Sequence, residues 1–187
     1  MIPKKLENYL MDKKVRFWTV DHKKIFTAFD AAKTMKVELK EIAKNLLVKT
    51  KDGFAIAIVG ADQEVNLEKL AKFLKIAKVD LPKEKVVTEK LKVKPGSLSA
   101  FGGVYKVPVY VDTKFSYGRE AIFSSGDLFT SIRMRIKDFI ALESAHIGAF
   151  GAAKKFKQPK NKPTKRPMPK KSKAKSKQAG LRGRGKR

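Results

Sequence analysis

The chain contains no cysteine, which excludes disulfides, thiolate metal sites and a cysteine nucleophile. Histidine occurs twice, at His22 and His146. Neither sits among carboxylates at ligand spacing, so no metal centre is expected. No apolar run approaches the roughly 20 residues that cross a bilayer. The opening Met1-Ile2-Pro3-Lys4-Lys5 reads as the start of an amphipathic helix and not as a leader. A soluble, cytoplasmic protein with no membrane partner is therefore expected. No Ser-His-Asp order, P-loop or dinucleotide fingerprint is present, and no cofactor is called for. Acidic residues are scarce: 18 Asp and Glu stand against 44 Lys and Arg, a net charge of +26.

The basic excess is concentrated at the C-terminus. Lys154 to Arg187 holds 16 Lys or Arg and no acidic residue, which leaves 28 basic against 18 acidic side chains before it. Such a block buries too little apolar surface to offset its ordering entropy and is expected to be disordered. Pro159, Pro163, Pro167 and Pro169 oppose a helix there. A tail of this kind needs a polyanion, and nucleic acid fits best because no apolar anchor accompanies the charge. The candidate contacts are Lys154, Lys155, Lys157, Lys165, Arg166, Lys170, Lys171, Arg182 and Arg184. The sequence divides into a domain over residues 1–148 and a tail over 149–187.

The body has the size of one domain. Leu6, Tyr9 and Leu10 share a helical face behind Pro3, a residue suited to a first turn. Arg16–Val20 is a short β-type run. Thr27 to Asp30 has capping-box spacing and predicts a helix through about Met35. A short helix is expected over Glu38–Ala43. Asn45–Thr50 and Phe54–Val59 flank Asp52-Gly53, a strong hairpin signal. Asn66 is a candidate N-cap. Further β runs are Val107–Val111, Ala121–Ser124 and Ser131–Arg135, with helices over Lys83–Leu91 and Lys137–Glu143. The class is α/β (α+β), with a sheet of mixed direction.

Individual residues say less. Lys44-Asn45 precedes the apolar Leu46-Leu47-Val48. A lysine there can hold a phosphate or polarise a carbonyl, although in so basic a chain it is ordinarily a solvated charge. Gly96–Gly103 is glycine-rich and offers either a backbone cradle or a plain turn. His22 can serve as a general base or as a structural residue. Phe17, Trp18, Phe26, Phe29 and Phe101 read as core more readily than as stacking platforms.

Taken in order, the pieces resemble one family. Asp21-His22, Phe26-Thr27-Ala28 and Ile42-Ala43-Lys44-Asn45-Leu46-Leu47-Val48 are similar to the YbaK/ProX-type aminoacyl-tRNA deacylases. So are Asn66-Leu67 with Leu70-Ala71-Lys72-Phe73-Leu74, and Val109-Tyr110-Val111-Asp112. Gly96-Ser97-Leu98-Ser99-Ala100-Phe101-Gly102 resembles the family's Gly-x-x-x-Pro-Phe-Gly loop, with Ala100 in place of proline. Phe123-Ser124-Ser125-Gly126 resembles its last motif, where Asp127-Leu128-Phe129 replaces a histidine common in the family. Val20 stands where some members carry an aromatic.

The resemblance covers about residues 1–143 and implies a domain with a mixed, curved sheet. It implies hydrolysis of a mischarged aminoacyl-tRNA, acting in trans and on tRNA-Pro. It places Lys44 at the acylated terminal adenosine as the catalytic residue. Asn45, Gly96, Ser97, Phe101, Gly102, Ser124 and Gly126 would bind substrate, and His22 and Thr27 would lie nearby. Amides of the Gly96–Gly102 loop would cradle the aminoacyl carbonyl. The alternative is a catalytically inactive RNA- or ribosome-associated protein led by its tail.

Overall fold

The computed structural model describes residues 1–25, 27–93 and 96–154. Its helices are α1 (Lys4–Asp12), α2 (Ala28–Met35), α3 (Leu67–Phe73), α4 (Glu84–Leu91), α5 (Thr113–Ser116) and α6 (Ile136–Glu143). Its strands are β1 (Trp18–Asp21), β2 (Ala43–Thr50), β3 (Gly53–Gly60), β4 (Gln63–Val65), β5 (Val109–Asp112), β6 (Glu120–Ser124), β7 (Thr130–Arg135), β8 (His146–Gly148) and β9 (Gly151–Ala153).

The Asp52-Gly53 turn joins β2 to β3 in antiparallel register, from Ala43 opposite Gly60 to Thr50 opposite Gly53. Gly53 sits at φ +126°, a conformation open to glycine and strained for other residues. Ala55 to Val59 are all fully buried. A strand without a polar face needs cover on both sides, and β3 has it. Its parallel partner is β5, which pairs in turn with β8, so the sheet runs β2-β3-β5-β8. Pro108 lies just before β5, where its missing N–H costs no ladder bond; its carbonyl accepts from Ile56 N at 2.9 Å.

An antiparallel sheet, β1-β7-β6, lies beside the first. The two meet at a parallel bridge between Ile42 and Ile122. Between them, α1 and α6 close a core that includes Leu6, Leu10, Phe101, Phe123 and Phe139. Phe123 and Phe139 stack at 4.2 Å. The opposite face of β3 packs under α3 and Phe150. A smaller cluster of Ala31, Ala32, Ile42, Ala61 and Ile122 lies under α2. The result is the mixed α/β architecture expected from the sequence.

Two local expectations give way. The helix expected over Glu38–Ala43 is only a 3-10 turn at Leu39–Glu41, capped by the Glu41 carboxylate accepting from Glu38 N at 2.8 Å. Ile42 and Ala43 are buried, and Ala43 already pairs with Gly60; tertiary pairing overrides local helix preference. At the other end, ordered structure passes residue 148. Phe150 is fully buried, and β9 pairs with β4 from Val65–Gly151 to Gln63–Ala153. Asp112 holds this turn. Its Oδ2 accepts from Phe150 N at 3.0 Å and Gly151 N at 2.6 Å, while Oδ1 accepts from Lys114 N at 3.0 Å.

Candidate active site

A cavity of about 420 Å³ opens where the two sheets meet, a size typical of small-ligand sites. Its residues come from distant parts of the chain: His22, Thr27 and Phe29; Ala43, Lys44 and Asn45; Gly96 and Leu98; Ser124, Asp127 and Leu128; Ser131; and Lys154. One side is apolar, formed by Ile25, Ala28, Ala31, Met35, Leu39, Ile42 and Ile122.

Thr27 starts this wall. Its Oγ1 accepts from Asp30 N at 3.1 Å and donates to Asp30 Oδ2 at 2.7 Å. That satisfies one of the orphan amides at the N-terminus of α2 and turns Ala28 and Ala31 toward the cavity.

Lys44, the second residue of β2, reaches the cavity and is only partly exposed. Burial pushes its ammonium below the usual lysine range, and the nearby charge of Lys154 pushes in the same direction against a weaker pull from Glu64. Both effects disfavour the charged form of the lysine. Asn45 is committed to architecture through its amide, which donates from Nδ2 to the Leu98 carbonyl at 2.9 Å. It thereby ties β2 to the glycine-rich loop 53 positions further along the chain.

That loop is more occupied than its composition suggests. The Ser99 amide donates to Tyr105 Oη at 3.0 Å, Ala100 N to the Ser124 carbonyl at 3.0 Å and Phe101 N to Ser99 Oγ at 3.3 Å. Gly103 N donates to Glu143 Oε2 at 2.8 Å. A cradle drawn from Gly96–Gly102 therefore narrows to Gly96 and Leu98, the loop residues on the cavity wall. Phe101 is fully buried against Phe123 and Phe139 and is absent from the cavity wall. Gly102 is also interior; a Cβ there would come within 2.5 Å of the Val107 carbonyl oxygen. These two residues shape the loop from behind and have no surface on the cavity.

Ser124 does face the cavity, and its Oγ accepts from Gly126 N at 3.3 Å. The hydroxyl proton remains to donate inward. Gly126 stands behind it at φ +92°, with its Cβ position 3.3 Å from the Ser97 carbonyl oxygen. Gly126 and Ser97 therefore meet each other and do not line the wall. His22 is held at both ring nitrogens: Nδ1 lies 2.9 Å from the Lys23 carbonyl and Nε2 lies 2.9 Å from Ser131 Oγ. A carbonyl only accepts, so Nδ1 carries the proton. His22 is a structural post on the wall, in keeping with its structural reading.

The sequence missed several features here. Phe29, read as core, is 59 % exposed at the cavity, and Trp18 is 53 % exposed. Phe17 packs part-buried against the main core. Lys154, read as the first basic residue of the tail, is part of the wall. No local signal distinguishes it from the lysines that follow. Phe26 and the tail candidates Lys155, Lys157, Lys165, Arg166, Lys170, Lys171, Arg182 and Arg184 lie outside the described residues. Among the described residues, no three His, Asp or Glu side chains group as metal ligands.

Residues 22–142 match the model of the aminoacyl-tRNA editing domain, and this span holds every cavity residue but Lys154. The chain belongs to that family. Over 91 residues, 49 % of its length, it is 31 % identical to a proline–tRNA ligase of Thermosipho africanus. Over 93 residues, 50 % of its length, it is 28 % identical to that of Bacillus velezensis. It covers 16 % of each ligase. A candidate trans-editing enzyme for prolyl tRNA synthetase superposes with a TM-score of 0.70 at 18 % identity, over 82 % of this chain and 100 % of that one. A hypothetical protein superposes at 0.72 with 16 % identity, over 80 % and 100 %. The fold is thus that of YbaK-like editing domains.

Proposed function

We propose that this editing domain hydrolyses the ester of a mischarged aminoacyl-tRNA in trans, with tRNA-Pro as the carrier. One observation supports this most: a partly buried lysine, a serine hydroxyl and a short stretch of loop backbone share a cavity with an apolar wall. An aminoacyl ester is already activated, so the site needs no covalent nucleophile. It needs a positioned water and a stabilised oxyanion.

In this reading the Lys44 ammonium faces the ester carbonyl, aided by the Ser124 hydroxyl and the backbone at Gly96 and Leu98. Water adds to the carbonyl carbon, and negative charge grows on its oxygen beside Lys44. The carbon–oxygen bond to the ribose then breaks. The departing ribose oxygen takes a proton, and free amino acid and tRNA leave. The neighbouring ribose hydroxyl can orient the water, which suits a cavity whose one histidine is engaged at both nitrogens. The side chain of the amino acid would lie on the Ala28, Ala31 and Ile122 wall. Each methylene more or less there is worth about 1–3 kcal/mol, so selection is by size. The basic tail adds tRNA affinity.

The test is deacylation of a panel of tRNAs charged with alanine, serine, cysteine and proline. Release of a small amino acid from tRNA-Pro, with prolyl-tRNA spared, is expected. Tight tRNA binding without release of any amino acid would overturn the reading and favour the RNA-binding alternative.

A further inference from the structure

Lys154 lies twelve residues past the end of the editing-domain match, yet it lines the same cavity as Lys44. A series of contacts puts it there. The buried Asp112 carboxylate accepts from Phe150 N and Gly151 N and sets the turn into β9. Gly151 permits this approach, since a Cβ would lie 2.8 Å from Asp112 Cγ and 2.5 Å from Gln63 Nε2. β9 then pairs with β4, and Lys154 N donates to the Asp62 carbonyl at 3.3 Å. The backbone of Lys154 is therefore fixed by strand pairing.

We propose that Lys154 is a substrate-positioning residue that binds the phosphate on the 5′ side of the terminal adenosine, leaving Lys44 free to act on the aminoacyl carbonyl. The inference rests on the editing reading for the identity of the ligand. Two like charges around one small cavity repel, and the lowered proton affinity of Lys44 records part of that repulsion. A bound anion reverses the balance by pairing with both cations at once. The substrate end has two oxygen centres that call for a cation: the phosphodiester, always anionic, and the ester carbonyl, anionic only in the transition state. Two lysines, one on β2 and one just past the end of β9, match two such centres, whereas one lysine does not. A phosphate contact is present in ground and transition states alike, so it should act on binding more than on turnover.

The test compares full-length wild type, Lys154→Ala and Lys154→Arg at about 0.15 M ionic strength, where contacts between exposed charges are largely screened. Calorimetric titration with adenosine and with adenosine 5′-monophosphate reads the phosphate contact without turnover. Wild type is expected to bind the monophosphate at least about tenfold more tightly than adenosine, the scale of one charge-assisted contact. Lys154→Ala should bind the two alike, Lys154→Arg should keep the preference, and adenosine affinity should be the same in all three. On aminoacyl-tRNA, Lys154→Ala should raise KM with little change in kcat.

Equal affinity of wild type for the two probes, or a preference unchanged in Lys154→Ala, overturns the inference even if deacylation is robust. A Lys154-dependent preference in a protein that releases no amino acid from any charged tRNA overturns the editing reading instead and leaves the anion site standing.

Discussion

Replacing Lys44 by methionine separates function from stability, because the two should move in opposite directions. The methionine keeps an unbranched stem of similar length and removes the ammonium. If that group donates to the developing oxyanion, its loss forfeits a charge-assisted hydrogen bond of about 1.5–3 kcal/mol. At about 1.4 kcal/mol per factor of ten, deacylation should fall by about 10- to 150-fold. The cost to folding has the other sign. Burial and Lys154 both push the Lys44 proton affinity down in the native state, so the native state binds this proton less well than the unfolded chain does. Stability then rises with pH from the lowered native pKa to the ordinary lysine value, and at neutral pH the charged lysine is a net burden. Lys44→Met should therefore melt no lower than wild type at pH 7, and its advantage should shrink as pH rises through that window. Single-turnover deacylation with enzyme in excess, together with thermal melts from pH 7 to 11, gives both readouts. A well-folded Lys44→Met protein with wild-type rates would remove Lys44 from the mechanism. A large loss of melting temperature would make it a structural residue.

The remaining predictions address the scaffold and the tail. Burial raises the Glu143 carboxyl above the ordinary range despite its bond to Gly103 N, and its Oε1 has no hydrogen-bond partner among the described residues; native protein therefore holds this proton to higher pH than unfolded chain. Wild-type stability should fall as pH climbs from the ordinary carboxyl pKa through the raised one, and Glu143→Gln should abolish that decline, so parallel melting curves for the two would refute the assignment. Gly102→Ala should lose stability and activity together because its Cβ meets backbone. Gly96→Ala has open space around its Cβ and only φ +75° to contend with, so it should cost about 1–2 kcal/mol and spare the fold; a Gly102→Ala protein as stable as wild type would refute the packing argument. Deleting residues 155–187 should leave turnover at saturating tRNA nearly unchanged. The log–log salt dependence of tRNA affinity should drop by about 5–7 units if about half of the tail's basic side chains meet phosphates. An unchanged slope would point the tail at another polyanion.

Local chemistry made much of the architecture legible. Asp52-Gly53 marked its hairpin, Thr27 and Asn66 cap the helices they were expected to cap, and the alternation of Thr130–Arg135 matches its burial. Elements whose residues carry no local preference were hidden. Gln63–Val65 and Gly151–Ala153 are three-residue strands that exist because each supplies the other's hydrogen bonds, and a pairing across some ninety residues leaves no mark in either segment. Phe101 and Phe29 show the same limit. Both are phenylalanines beside small residues, yet one is fully buried between two aromatic rings and the other is 59 % exposed. Only the packing of distant helices decides which.

The division between legible and hidden also falls through the cavity. Lys44, Asn45, Gly96 and Ser124 could be picked out because each sits in a motif whose order along the chain is itself informative. Phe101 and Gly102 share those motifs, but the structure places them behind the loop. A motif thus records what a loop needs in order to hold its shape as well as what it presents to a ligand. The glycine-rich loop makes the point physically. The amides of Ser99, Ala100, Phe101 and Gly103 donate to a phenol, a carbonyl, a hydroxyl and a carboxylate of the protein itself. Every donor satisfied from behind stiffens the backbone and leaves fewer amides for the substrate. The loop can then place the backbone of Gly96 and Leu98 with little reorganisation when charge develops, which is the property that makes backbone donors effective in catalysis. Asn45 serves that end from the opposite strand: its bond to the Leu98 carbonyl fixes the distance between the loop and the strand that carries Lys44, and so sets the gap across which an ester must fit.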